Sequence, residues 1–164
     1  MAGLHTLNET ERQVEARFSD SPIDFAAMAV ASNLFRAATA VRNHLERTVL
    51  SREDLSWTAF VVLWVTWIWE PIETRQIAVE GGFSKATLTG VLGTLEGRGL
   101  LKRSKSEQDG RLVIVRLTDV GRELMGRLFP EFNLEEIHVV ETLSSQSKKE
   151  LADHLREITR HLES

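Results

Sequence analysis

The sequence predicts a mainly α-helical chain that carries one small β-hairpin. Three observations lead there. Apolar residues recur at helical spacing along most of the chain. Ser or Thr stands ahead of several of these runs, where a side chain can cap the first turn. One stretch, residues 100–117, breaks the pattern with two short runs around Asp109-Gly110-Arg111 and reads as two strands, 100–105 and 112–117.

The chain has 164 residues, enough for a domain with a real core and an added helical layer. Its formal net charge is -4, but residues 84–116 hold seven Lys or Arg against three Asp or Glu. That island carries +4, leaving -8 on the remainder. A basic island on an acidic body points to a localised anionic partner. There is no cysteine, which excludes disulfides, thiol catalysis and thiolate metal sites. The N-terminus lacks a signal-type apolar segment, so a cytoplasmic protein is expected. The longest apolar run, residues 59–65 continued at 67–69, falls short of the ~20 residues a bilayer span needs, so no membrane partner is expected.

Residues 1–20 are polar, with room for a short helix at 8–18. Ser21-Pro22-Ile23-Asp24 predicts a helix start, with Ser as cap and Pro in the first turn. Phe25, Met28, Leu34, Phe35, Ala38, Val41 and Leu45 carry that helix to about residue 47. Residues 55–69 are too long for a strand. Trp57, Phe60, Val61, Trp64 and Trp67 share one helical face and Val62, Val65 and Trp69 another, which predicts a helix apolar nearly all round and buried between two layers. Residues 73–80 form a short helix stopped at Gly81-Gly82. Ser84 caps the next, with Leu88, Val91, Leu92 and Leu95 inward and Gly97 and Gly99 at its end. After the hairpin, Thr118 caps a helix with Leu124, Met125, Leu128, Phe129 and Phe132 inside, which Pro130 should kink or interrupt. The last helix begins near Ser144 and carries one stripe, Leu151, Leu155, Ile158 and Leu162.

Two short helices joined by a glycine turn form a helix-turn-helix, and a hairpin with a basic tip beside it makes a winged helix. The fold class is therefore mainly α with a small β-hairpin wing: a winged helix-turn-helix plus a helical dimerisation layer. The second helix of such a pair fits the major groove, and the wing reaches phosphates or the minor groove. Gly110 supplies the bend, Lys105 and Arg111 the cations near the tip, and Lys102 and Arg103 those at the base. Asp109 is expected to pair with Arg111 and set its direction. The expected DNA-binding residues are Thr74, Ser84, Lys85, Thr87, Thr89, Gly90, Lys105, Gly110 and Arg111. Double-stranded DNA is the expected partner.

Residues 55–128 resemble the MarR family of bacterial transcriptional regulators. The resemblance rests on Ser84-Lys85-Ala86-Thr87, Leu95-Glu96 with Arg98-Gly99-Leu100, Asp109 with Arg111, and Leu117-Thr118 with Gly121. It implies a homodimer built from the first and last helices, a palindromic operator, and release of DNA when a small, often aromatic molecule binds between the dimer layer and the DNA-binding layer. The chain departs from the family pattern in having Gly90 where many members place an Arg on the recognition helix, and Gly110 where many place a cation. Gly93 removes another side chain from that outer face. Small residues there favour close backbone approach and hydroxyl contacts over bidentate Arg–guanine readout. The "SKATLTGVL" form resembles the branch of urate and plant-phenolic responders. No Trp precedes Trp57, so urate is not extended to this chain.

A small aromatic or phenolic effector would be met by Phe35, Thr39, Trp57, Val61, Trp64, Met125 and Phe129, with Arg36, Arg42 and His44 as polar anchors. An aromatic stripe at this spacing is more often plain core. His138, His154 and His161 lack the spacing of a metal site. No Gly-rich phosphate loop or nucleophile elbow is present, and neither an enzyme nor a cofactor is expected. The expected division is a polar extension (1–20), a dimerisation helix (21–50), the winged helix-turn-helix (55–120) and C-terminal dimerisation helices (121–164). The function expected is that of a ligand-responsive repressor. A winged-helix module for protein contacts without DNA binding is the alternative, kept open by Lys85 being the only cation on the exposed face of the recognition helix.

Overall fold

Capping side chains set where most of the helices begin. The computed structural model describes residues 5–19 and 21–164; residues 1–4 and Asp20 of the polar extension lie outside the described residues. The chain divides into two compact units, Met1–His44 and Leu45–Ser164, with the division inside one long helix.

In the first unit, α1 (Leu7–Arg17) starts with a capping box: Thr6 Oγ1 accepts the Glu9 N–H at 3.2 Å and the Glu9 carboxylate accepts the Thr6 N–H at 2.7 Å. α2 (Phe25–Thr48) begins four residues later than Ser21. Its first turn is capped by Asp24, whose carboxylate accepts the Ala27 N–H at 2.9 Å. Ser21 stands too far ahead of the first turn to cap it; its carbonyl accepts the Ile23 N–H, which turns the chain before the helix. Asn33 Nδ2 donates to Glu11 Oε1 at 2.7 Å and ties α2 to α1.

The second unit holds the end of α2, the 3-10 turn Leu50–Glu53, and the core. α3 (Trp57–Trp69) is capped by Ser56 and buries Phe60, Val62, Leu63 and Val65. Thr66 is buried too, its hydroxyl satisfied by the Val62 carbonyl at 2.7 Å. The helix is not buried all round: Trp64, Ile68 and Trp69 are exposed, because the core covers only one side. β1 (Ile72–Glu73) leads into α4 (Thr74–Glu80), and Gly82, with φ 64°, makes the turn into α5 (Lys85–Gly97).

β2 (Leu101–Lys105) and β3 (Val113–Leu117) form the hairpin. β1 adds to its free side, so the sheet has three antiparallel strands in the order β1-β3-β2, with Ile72 opposite Val115 and Leu101 opposite Leu117. α6 (Asp119–Val139), capped by Thr118, runs through Pro130 without interruption. Buried Leu124, Met125 and Leu128 before the proline and Phe132 after it hold both halves against the core, offsetting the ~3 kcal/mol that an interior proline costs. α7 (Ser145–Glu163), capped by Ser144, has no buried residue; Leu151, Leu155 and Leu162 of its stripe are 45%, 37% and 78% exposed. No helix of the described residues is long and apolar enough to cross a membrane.

Candidate nucleic-acid interface

The outer face of α5 is nearly bare. Leu88, Leu92 and Leu95 point into the core, while residues 84–87, 89, 90, 93 and 94 are exposed. A Cβ added at Gly90 or Gly93 would meet nothing within 4 Å, so both glycines leave open space outward. Ser84 Oγ accepts the Thr87 N–H at 3.1 Å and lies 2.8 Å from Thr87 Oγ1. Thr89 Oγ1 donates to the Lys85 carbonyl at 2.8 Å. Its proton is therefore spent on the helix, and it faces outward as an acceptor and a methyl group.

A groove of about 540 Å³ runs between this face, the start of α4 and the hairpin. Four cationic side chains line it: Arg75, Lys85, Arg103 and Arg111. Thr74 and Thr89 line it as well, over a floor that includes Ala78, Leu88 and Leu92. Thus Thr74, Lys85, Thr89 and Arg111 of the expected set come together, with Ser84, Thr87 and Gly90 on the exposed face of α5. Lys105 shares a face of the hairpin with Arg103, since residues two apart in a strand point the same way. Sequence reasoning missed Arg75. It stands second in a seven-residue helix with no periodicity to orient it, and only the groove reveals its direction.

The wing tip is a self-bonded turn. Ser106 Oγ accepts the N–H groups of Gln108 and Asp109, and the Leu112 N–H donates to the Asp109 carbonyl at 2.9 Å. The Asp109 carboxylate accepts the backbone N–H of Arg111 at 3.0 Å, not its guanidinium. Asp109 therefore shapes the turn and leaves the Arg111 side chain free, contrary to the expected ion pair. Gly110 has no left-handed φ and open space beyond its Cα, so the bend itself does not demand glycine.

The wing root is fastened. The Glu96 carboxylate at the end of α5 accepts the Arg103 backbone N–H at 3.1 Å and its Nε at 3.0 Å. These bonds to Arg103 hold the Glu96 carboxyl below the ordinary glutamate range. Glu70 accepts the Leu117 N–H at 2.7 Å and Arg122 Nε at 2.8 Å, joining α3, β3 and α6. Arg98 caps α5 and donates to the carbonyls of Glu53 and Asp54 at 2.7 and 2.8 Å. The Glu53 carboxylate pairs with Arg127 of α6, and that hydrogen-bonded guanidinium lowers the Glu53 pKa.

The residues expected to meet an effector are divided between the two units. Trp57 lies 6.2 Å, between ring centroids, from both Phe60 and Phe132, and the Phe129 ring lies 5.6 Å from Trp67. Met125 is fully buried in the core. Val61 is partly covered, and Trp64 is exposed on α3. Phe35 and Thr39 are exposed on α2 in the first unit, where the Thr39 hydroxyl donates to the Phe35 carbonyl.

The sequence profile of the MarR family matches residues 55–113, which run from the start of α3 to the return strand of the wing. The transcriptional regulator YwaE of Bacillus subtilis, of the helix-turn-helix type, is 35% identical over 159 residues, 95% of this chain and 93% of that protein. BpsR of Bordetella bronchiseptica, whose DNA binding is regulated by 6-hydroxynicotinic acid, is 25% identical with a TM-score of 0.73 over 79% of this chain and 98% of its own. Sco3205 of Streptomyces coelicolor, a MarR family regulator solved in complex with DNA, has a TM-score of 0.79 over 87% of this chain and 91% of its own, at 20% identity. A relative that aligns over nearly the whole chain, on top of a winged helix whose profile match spans the helix-turn-helix, decides the assignment: the chain belongs to the MarR family of transcriptional regulators.

Proposed function

We propose that the protein is a homodimeric repressor that binds a palindromic DNA site through α5 and the wing and releases it when a small aromatic acid or phenol binds. The carrying observation is the groove in which Arg75, Lys85 and Arg111 converge beside the bare face of α5, with Arg103 held there by Glu96. Among the described residues, Arg75, Lys85, Lys105 and Arg111 make no ion pair, so their charge is available to phosphate. Lys105 and Arg111 supply phosphate or minor-groove contacts; Thr87, Thr89 and Gly90 meet the major groove. The exposed stripe of α7 supports the dimer, since burying it is worth roughly 25 cal/mol per Å² of apolar surface. The aromatic effector of BpsR supports the ligand class.

The test is a salt titration of binding to fragments of the protein's own upstream region and to random duplex. Arg111→Ala is expected to weaken binding to both and to lower the log–log salt slope by about one. Wild-type protein without salt-dependent DNA binding would leave the protein-contact alternative in its place. A folded monomer at micromolar concentration in sedimentation would remove the dimer.

A further inference from the structure

Lys102 and Arg116 face each other across the hairpin, as directly opposed partners in the β2–β3 register. Like charges in that position repel and weaken a sheet. Both side chains are exposed, and among the described residues neither makes an ion pair or a side-chain hydrogen bond. Their neighbours show that carboxylates are at hand on other surfaces: Arg103 has Glu96 and Arg122 has Glu70. The alternation of β2 puts Lys102 on the side of the wing opposite Arg103 and Lys105, hence away from the groove that meets α5. An unneutralised cation pair on the back of the wing has no structural benefit.

We infer that Lys102 and Arg116 form a second phosphate-binding surface, on the back of the wing, that grips the DNA backbone while the tip enters the minor groove. This rests on the DNA-binding reading above. Geometry favours duplex phosphate over other anions. Lys102 lies three residues from Lys105, about 10 Å back along the strand. The minor groove is only about 7.5 Å deep and 6 Å wide. A tip inserted there leaves the root pair at the level of the sugar–phosphate rim. A hairpin in so narrow a groove has a phosphate strand on each side. The front cations serve one strand and the back pair the other.

The experiment compares wild type, Lys102→Gln/Arg116→Gln, Arg111→Ala and, as a control of equal charge change, Arg12→Gln/Arg17→Gln on α1. Each is titrated with salt on random duplex DNA, and each is melted thermally. The Lys102/Arg116 variant is expected to lose about two from the log–log slope, Arg111→Ala about one, and the α1 control nothing. Arg116→Glu, which puts a carboxylate opposite Lys102, is expected to melt at or above the wild-type temperature while binding DNA more weakly. A merely structural pair would not separate those two readouts. An unchanged slope in the Lys102/Arg116 variant, beside a reduced one in Arg111→Ala, overturns the inference and leaves an acidic protein surface as the ligand of this pair. An equal loss in the α1 control overturns it as well, by assigning the effect to net charge. Absence of wild-type DNA binding removes both readings together.

Discussion

The root and the tip of the wing are built on opposite terms. At the root, hydrogen bonds claim the polar groups that face the body of the protein, while Lys102 and Arg116 on the back of the wing are left out. Glu96 holds Arg103, Glu70 holds Leu117 and Arg122, and the Thr118 hydroxyl reaches the Gly99 carbonyl at 2.6 Å. At the tip, the backbone satisfies itself through Ser106 and Asp109, and the cationic side chains of Lys105 and Arg111 are left without partners. The basic island is therefore two populations. Arg98 and Arg103 are structural, spent on carbonyls and a carboxylate. Lys85, Lys102, Lys105, Arg111 and Arg116 remain available. A positive charge in the sequence counts toward an anionic partner only when no nearby carboxylate or carbonyl has taken it.

The strongest test of the fastened root is Gly121. It is the third residue of α6, and its N–H donates to the Thr118 hydroxyl at 3.1 Å. A Cβ built there would stand 1.9 Å from the Leu100 carbonyl oxygen. The obstacle is backbone, so it cannot swing aside. Gly121→Ala is expected to destabilise the protein by about 1–3 kcal/mol, the cost of overpacking. The matched control is Gly126 on the same helix, where a Cβ would meet open space. Gly126→Ala should stabilise by up to about 1 kcal/mol through helix propensity. Urea unfolding of the two variants should give opposite signs, and equal signs would mean that α6 is not seated on the wing root.

Gly121 also shows what the sequence could and could not convey. As part of the Leu117-Thr118-Gly121 pattern it was legible, but the carbonyl that requires it belongs to Leu100, just ahead of β2 and 21 residues earlier. Local devices were legible in general. Ser84 and Thr118 cap as expected, and the last helix starts at Ser144 as expected, because a cap needs only a side chain and an N–H three residues on. β1 was not legible, since two residues become a strand only by pairing with β3. Arg75 was missed and the Asp109–Arg111 pair misread for one reason: charge and spacing do not say which way a side chain points, or whether the backbone takes the carboxylate first.

A smaller effect on stability, but a large one on binding, is expected at Gly90. With nothing within 4 Å of its Cβ, Gly90→Leu should leave the fold intact or stabilise it slightly. Binding to the cognate duplex should fall by the ~1–3 kcal/mol of a lost base contact or more, because the new side chain occupies the space that close approach needs. Intact binding would move the DNA-binding face away from α5. Loss of binding together with loss of thermal stability would mean instead that position 90 faces the core.

The smallest expected effect distinguishes the two populations of cations directly. In the folded protein the Glu96 carboxyl is held below its ordinary range by the side-chain and backbone hydrogen bonds of Arg103. A depressed carboxylate contributes stability above the unfolded-state value, ~4.3 for glutamate, and loses it as pH falls through the folded value. Wild type should therefore melt above Glu96→Gln at neutral pH, and the two melting curves should converge in acid. DNA binding should move the other way. Glu96→Gln removes a negative charge beside the groove and releases Arg103, so binding to random duplex at neutral pH should hold or strengthen, whereas Arg111→Ala weakens it. If Glu96→Gln weakened DNA binding as Arg111→Ala does, Arg103 would be a guanidinium that Glu96 aims at phosphate, and it would belong with the available cations of the wing rather than with the structural ones.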